Sequence, residues 1–333
     1  MNSLLDPAIL FFLFGVAAGL LKSNLEIPPA ISRFLSLYLL MALGLKGGFA
    51  LAHSGLTAQV ASSLLVAVSL AVIVPLVGFT VLRRKVGGFD AAAIAATYGS
   101  VSAVTFITTT QYLESHGYPF GGHMAAALAL MESPAIVLAV LLANHLRQRA
   151  TAGVQVHADG TATLGPAPGG VSFGKVLHES LTDGAQLLLL GAMVVGIVTG
   201  DAGKAAMQPF SGDLFKGMLA FFLLDMGLLA ARQLPQLRGA SPWLPAYALL
   251  APLVHASLAL GLCLLAGIEA GNAALLMVLA ASASYIAVPA ALRFAIPEAR
   301  PSLYVGMSLG LTFPFNILLG IPLYVSIAHG VLG

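Results

Sequence analysis

Asp90–Phe106 reads DAAAIAATYGSVSAVTF, and Asn272–Val288 reads NAALLMVLAASASYIAV. The two stretches align without a gap at an offset of 182, so that Ser100 meets Ser282 and Ser102 meets Ser284. Further out, Pro134 in LMESPAI falls opposite Pro314 in GLTFPFN at an offset of 180, and Gly44 in MALGLKG opposite Gly227 in LDMGLLA at 183. One match between apolar segments is weak, but matched order with matched small polar residues indicates an internal duplication. In a membrane chain, such repeats point to a transporter.

Composition supplies the membrane. Of 333 residues, 59% are hydrophobic and 8% charged, against about 25% charged in a soluble domain. The mean hydropathy is +0.95. The first apolar stretch has neither a positive leader nor a cleavage site, so the chain is expected to be embedded from its first helix. The net charge of +2 sits between apolar runs and forms no basic face, which argues against a nucleic-acid partner. Cys263, the single cysteine, lies in an apolar run and excludes a disulfide within the chain or a cysteine metal site. HExxH and paired-aspartate motifs are missing, and His53, His123, His178, His255 and His329 lack i, i+4 spacing, so an enzyme is not expected.

Gly, Pro and charge divide the apolar runs into ten expected helices, at about 8–21, 30–52, 58–82, 89–113, 120–146, 183–200, 212–231, 243–266, 271–295 and 301–328. With that count, twelve of the fifteen Lys and Arg fall on one side, leaving Lys46, Lys204 and Lys216 on the other. The positive side is cytoplasmic, so both termini are expected outside and the 147–182 loop inside. Its segment Ala150–Gly174, ATAGVQVHADGTATLGPAPGGVSFG, reads as a flexible tether. The expected organisation is therefore a first five-helix repeat over 1–149, a cytoplasmic linker over 150–182 and a second repeat over 183–333. Five helices is an odd number, so the second repeat enters the membrane inverted.

Inverted repeats place their site where interrupted helices meet. The fourth and ninth spans are weak mid-way, at YGSVSAVTF and ASASYIAVPAALR. Serine caps helix N-termini, and a helix N-terminus attracts an anion. Gly99, Ser100, Ser102, Thr105, Ser282, Ser284 and Tyr285 are therefore expected to bind a small anion. Glu132 puts a carboxylate in mid-membrane two residues before a proline, a costly placement that marks function. With Ser133, and with Thr312 and Asn316 around the repeat-related Pro314, it is expected to supply oxygens to Na+; a proton carrier is the alternative. Lys46 and Asp225, beside the repeat-related glycines, are expected to pair across helices.

At GSVSAVTF, MESPAI and SASYIAVPAALR the chain resembles the sodium-dependent bicarbonate transporter superfamily, through both halves outside the linker. The resemblance implies an all-α membrane protein of ten transmembrane helices in two inverted five-helix repeats, with a mobile core (transport) domain against a scaffold (gate) domain. It also implies homotrimers in the bacterial inner membrane and Na+-coupled bicarbonate uptake; in cyanobacterial members a PII-like regulator binds the cytoplasmic face. Ser100 and Ser102 match the family's first serine motif, and Ser282 and Ser284 its second. Glu132 stands where the cyanobacterial form has an aspartate, and Ala103, Val104 and Phe106 replace a more polar, glycine-rich version. The expected function is an elevator-like secondary transporter for a small anion, bicarbonate first, coupled to Na+ and needing no other cofactor. The rivals are a proton-coupled carrier of small organic anions and a transporter-like receptor that recruits a PII-like partner.

Overall fold

A computed structural model describes residues 6–55, 57–151, 182–237 and 239–333, with 155–156, 162–163 and 178. The expected linker over 150–182, with its tether Ala150–Gly174, lies largely outside the described residues. Within it, Gln155–Val156 pairs antiparallel with Ala162–Thr163; the rest of the described chain is helices and their connections.

The helices are α1 (Pro7–Leu20), α2 (Pro29–Ser54), α3 (Ala58–Leu82), α4 (Gly88–Gly99), α5 (Ala103–Ser115), α6 (Met124–Thr151), α7 (Gly184–Met207), α8 (Phe215–Gln233), α9 (Trp243–Ala266), α10 (Ala270–Ala281), α11 (Ala287–Ala295) and α12 (Pro301–Leu332). Local chemistry sets several ends. Asp6 accepts from the Ala8 amide at 2.8 Å ahead of Pro7, and Thr57 accepts from the Val60 amide at 3.3 Å to start α3. Gly267 takes φ +63° to close α9. Seven helical segments are long and apolar enough to cross a membrane, and Pro7–Leu20 and Ala270–Ala281 are shorter apolar helices. One of the seven, Gly184–Leu237, runs for 54 residues, where about 20 suffice for a bilayer. It turns at Gly200 (φ +52°, ψ −136°) and passes through a π-helical stretch at Gln208–Asp213.

Two groups of helices emerge from the packing. In the first, α2 lies along α7 and α1 along α8. Backbone nearly touches backbone at these crossings. A Cβ on Gly44 would lie 2.4 Å from the Leu189 carbonyl oxygen, and one on Gly48 2.1 Å from that of Met193. Likewise a Cβ on Gly15 would meet Leu224 O at 2.2 Å, and one on Gly227 would meet Phe12 O at 2.2 Å. Gly15 with Gly19 and Gly44 with Gly48 have the GxxxG spacing that permits such approach.

In the second group, α3, α4 and α6 pack together, as do α9, α10 and the end of α12, and α3 also contacts α9 and α10. Asp90 accepts from Arg300 Nη2 at 2.7 Å and from its amide at 2.8 Å, fixing the start of α4 to that of α12. Beside it, Arg147 at the end of α6 holds Glu298 at 2.7 Å, which pushes the Glu298 carboxyl below its ordinary value by hydrogen bonding and charge. The groups meet along α6–α7 and α8–α12.

The expected Lys46–Asp225 pair does not form. Lys46 binds Glu114 at 3.2 Å and lies 4.3 Å from the Phe215 ring centroid, while Asp225 accepts from the Ser32 hydroxyl. Phe215 marks the depth of Lys46 on α8, and Asp225 follows ten residues later, about 15 Å along the axis.

Candidate functional site

Both expected weak points are breaks. Helix α4 stops at Gly99, Ser100 is extended (φ −97°, ψ −175°), and Ser102 caps α5 by accepting from the Thr105 amide at 3.2 Å. Helix α10 stops at Ala281, Ser282 is extended (φ −82°, ψ 167°), and Ser284 accepts from the Val288 amide at 3.2 Å as α11 begins. Small side chains permit this, since the freed backbone needs partners close at hand. The partners come from the opposite break: the Ser102 amide donates to Ser282 Oγ, and the Ser284 amide to Thr97 O, each at 2.9 Å.

Beside the crossing is a cavity of about 70 Å³, lined by Val101, Ser102, Ala103 and Val104 from one break and by Ser284, Tyr285, Ile286 and Ala287 from the other. A single water needs only about 10–15 Å³ of such space, so a small ion fits. The N-terminal turns of α5 and α11 thus face one space, with first-turn amides that have no helical acceptor and positive dipole ends. Glu132, Gln186 and Ser36 add polar groups to a wall completed by Leu40, Leu128, Ala185 and Leu189. Gln186 shares this wall with Glu132 and accepts from Ser133 Oγ at 3.3 Å. Asp183 caps α7 and fixes Gln186 in its first turn, accepting from the Ala185 amide at 2.9 Å. One cavity therefore holds a carboxylate and two helix N-termini, a donor set for an anion and a cation together.

The other expected site residues fall elsewhere around it. Ser100 and Ser282 are buried behind the cavity wall; Ser282 joins the breaks, whereas Ser100 Oγ has no hydrogen-bond partner. Thr105 Oγ1 donates to Ser102 Oγ at 2.9 Å and supports the cap. Tyr285 lines the cavity with its hydroxyl buried near Ser102, outside normal hydrogen-bond geometry. Gly99 serves packing, because a Cβ there would stand 2.5 Å from the Pro75 ring of α3.

Thr312 and Asn316 do not line the cavity of Glu132. Thr312 donates to Ala248 O at 2.7 Å and meets Tyr98 Oη at 2.6 Å. Asn316 donates to Ala281 O at 2.8 Å, satisfying the carbonyl at the broken end of α10, and accepts from Tyr324 at 3.2 Å. The Asn316 amide nitrogen thus holds the break of α10, while Thr312 ties α12 to α9 and α4. Ser36 carried no signal in the sequence; for Gln186 the available signal was an amide just inside the apolar start of α7, in DGAQLLLL.

No individually curated protein aligns with the chain. The model of the Na+-dependent bicarbonate transporter superfamily matches residues 7–329, and a predominantly helical, apolar chain with paired helix breaks beside a small cavity belongs, by that match over nearly its whole length, to this family of integral membrane transporters.

Proposed function

We propose that the chain is a secondary active transporter that carries bicarbonate with Na+ by alternating access. The observation that carries this reading is the shared cavity, where the amide ends of α5 and α11 converge opposite Glu132. The anion sits at those N-termini, with the hydroxyls of Ser102 and Ser284 and the buried Tyr285 as further donors. Na+ sits on the carboxylate side, ligated by Glu132 with Ser133 or Gln186 oxygens. Each ion lowers the electrostatic cost of the other, so binding of the two is mutually supportive. Relative to the expected Na+ set, Asn316 acts indirectly, by holding α10 where it breaks, and Thr312 by tying α12 to α9 and α4.

Ten spans in two inverted repeats is the reading of the fold that we favour. Dividing Gly184–Leu237 at its bend, and counting α1 and the α10–α11 pair as spans, brings the seven long segments to ten. The packing supports the repeat: α2 against α7 and α1 against α8 exchange when the halves are exchanged. The group α1, α2, α7 and α8 is then the scaffold, and the remainder is the unit that moves like an elevator. Both termini face outward, and Arg147 and Arg300 lie on the cytoplasmic side of an inner membrane. Trimers and a PII-like regulator rest on the family resemblance.

The test is reconstitution in liposomes, with labelled bicarbonate uptake measured under external Na+ or K+ at fixed pH and potential. Uptake that requires Na+ is expected. Uptake driven by a pH gradient without Na+ would replace this reading with the proton-coupled one, and ligand binding without flux would favour a receptor.

A further inference from the structure

Helices α3 and α9 diverge at one end of the molecule and leave a crevice of about 210 Å³ between them. Val77, Gly78 and Val81 form one wall, and Tyr247, Leu250 and Val254 the other. It opens sideways: Val81 in the last turn of α3 is 50% exposed, and Leu250 and Val254 within α9 are each 60% exposed, on an apolar surface where the solvent is hydrocarbon. At its mouth, Lys85 lies 4.1 Å from the Trp243 ring centroid. Arg83 and Arg84, also exposed, precede it where α3 ends, and no acidic residue lines the space. The Tyr247 hydroxyl is buried within the crevice and has no hydrogen-bond partner. It lies against Gly78, where a Cβ would approach it to 2.8 Å.

We infer that this crevice is a binding site for an anionic phospholipid. The order of groups along it is that of the lipid. Three cations and an interfacial tryptophan stand at the level of the phosphate. Tyr247, four residues after Trp243, lies about 6 Å deeper, where its hydroxyl donates to a glycerol ester carbonyl. Below it the apolar walls take the acyl chain. A zwitterionic lipid would leave the triple positive charge unmatched, and a soluble anion would leave the apolar walls and the tyrosine donor unused.

The occupant touches the transport machinery through one ring. Tyr247 packs edge-on against Tyr98 at 5.2 Å, and Tyr98 immediately precedes Gly99, the last residue of α4. Pro75 of α3 packs against the same Gly99. A lipid wedged between α3 and α9 therefore braces the two helices that pack against the end of α4, where the first break begins.

The experiment is lipid retention and thermal unfolding of the purified full chain, with added palmitoyl-oleoyl phosphatidylglycerol, the corresponding phosphatidylcholine, or inorganic phosphate. The expected result is selective retention of phosphatidylglycerol with a raised Tm, weakened about fivefold for each charge removed in Lys85→Gln and in Arg83→Gln/Arg84→Gln. Tyr247→Phe, which keeps the ring, should weaken retention, whereas Arg33→Gln, the same charge change elsewhere, should not. Equal retention of the two lipids would overturn the proposal, as would an unchanged preference in folded Lys85→Gln or equal stabilisation by phosphate alone. Binding is read without transport, so failure here leaves the proposed function standing.

Discussion

The amide of Ser102 donates to the hydroxyl oxygen of Ser282 at 2.9 Å, while the Ser282 hydroxyl proton goes to Leu279 O at 2.8 Å. One side chain thereby closes its own helix end and holds the opposite break. Ser282→Ala should leave the buried Ser102 amide unsatisfied and cost about 1–3 kcal/mol. The half-saturating anion concentration should rise up to about tenfold together with a fall in Tm. Uptake kinetics and thermal unfolding of the same preparation check this; a lowered Tm with unchanged kinetics would confine Ser282 to structure.

Glu132→Gln keeps the shape of the side chain beside Gln186 but removes the negative charge from the cavity. The Na+ concentration for half-maximal uptake should rise by an order of magnitude, equivalent to about 1.4 kcal/mol, with the protein still folded. A Na+ titration of uptake reads this directly. An unaltered Na+ requirement would move the cation site away from Glu132.

What could be read without the structure was local. SVS and SAS stand out because small hydroxyl residues interrupt apolar helices, and Glu132 because a carboxylate in hydrocarbon is costly. Gln186 carries no charge and sits in an ordinary apolar run, so only the packing of α7 against α6 shows what it faces. Thr312 and Asn316 mirror Glu132 about their prolines, yet their polar atoms are engaged by Ala248 and Ala281. Lys46 could be matched with Asp225 by sequence position alone; its true partner, Glu114, depends on where α5 lands beside α2.

Gly227→Val should be among the most damaging substitutions, because its Cβ would sit 2.2 Å from Phe12 O at a backbone crossing. Separation of α1 from α8 should cost upward of about 3 kcal/mol, seen as loss of folded protein in size-exclusion profiles. Gly217→Ala, ten residues earlier on the same helix with nothing within 4 Å, should express normally.

The Arg147–Glu298 pair gives a pH signature. Arg147 lowers the folded-state value of Glu298 below the ordinary 4.5, so the unfolded chain takes up the proton first on acidification. Its contribution is present above 4.5 and is lost as pH falls through the depressed folded value. The Tm difference between wild type and Glu298→Gln should therefore be constant near neutrality and vanish in acid. A difference that persists at low pH would mean that the substitution acts through packing.

Lys46–Glu114 is the one ion pair among the described residues that joins the α1–α2–α7–α8 group to the other. It borders a cavity of about 280 Å³ between α2, α5, the start of α6 and the end of α7, so under the proposed alternating-access motion it is expected to restrain one group against the other. Its side chains are 29% and 38% exposed, which limits the pair to about 0.2–1 kcal/mol. Lys46→Gln should therefore raise the population of an opened state by up to about fivefold. Cys263 is fully buried and gives little background, so a cysteine introduced at Thr110, on the cavity wall, reports the opening by its labelling rate. Faster labelling in Lys46→Gln, reproduced by Glu114→Gln and not additive in the double variant, is the expected result. Additive effects would show that the two residues act separately and that the pair does not restrain the motion.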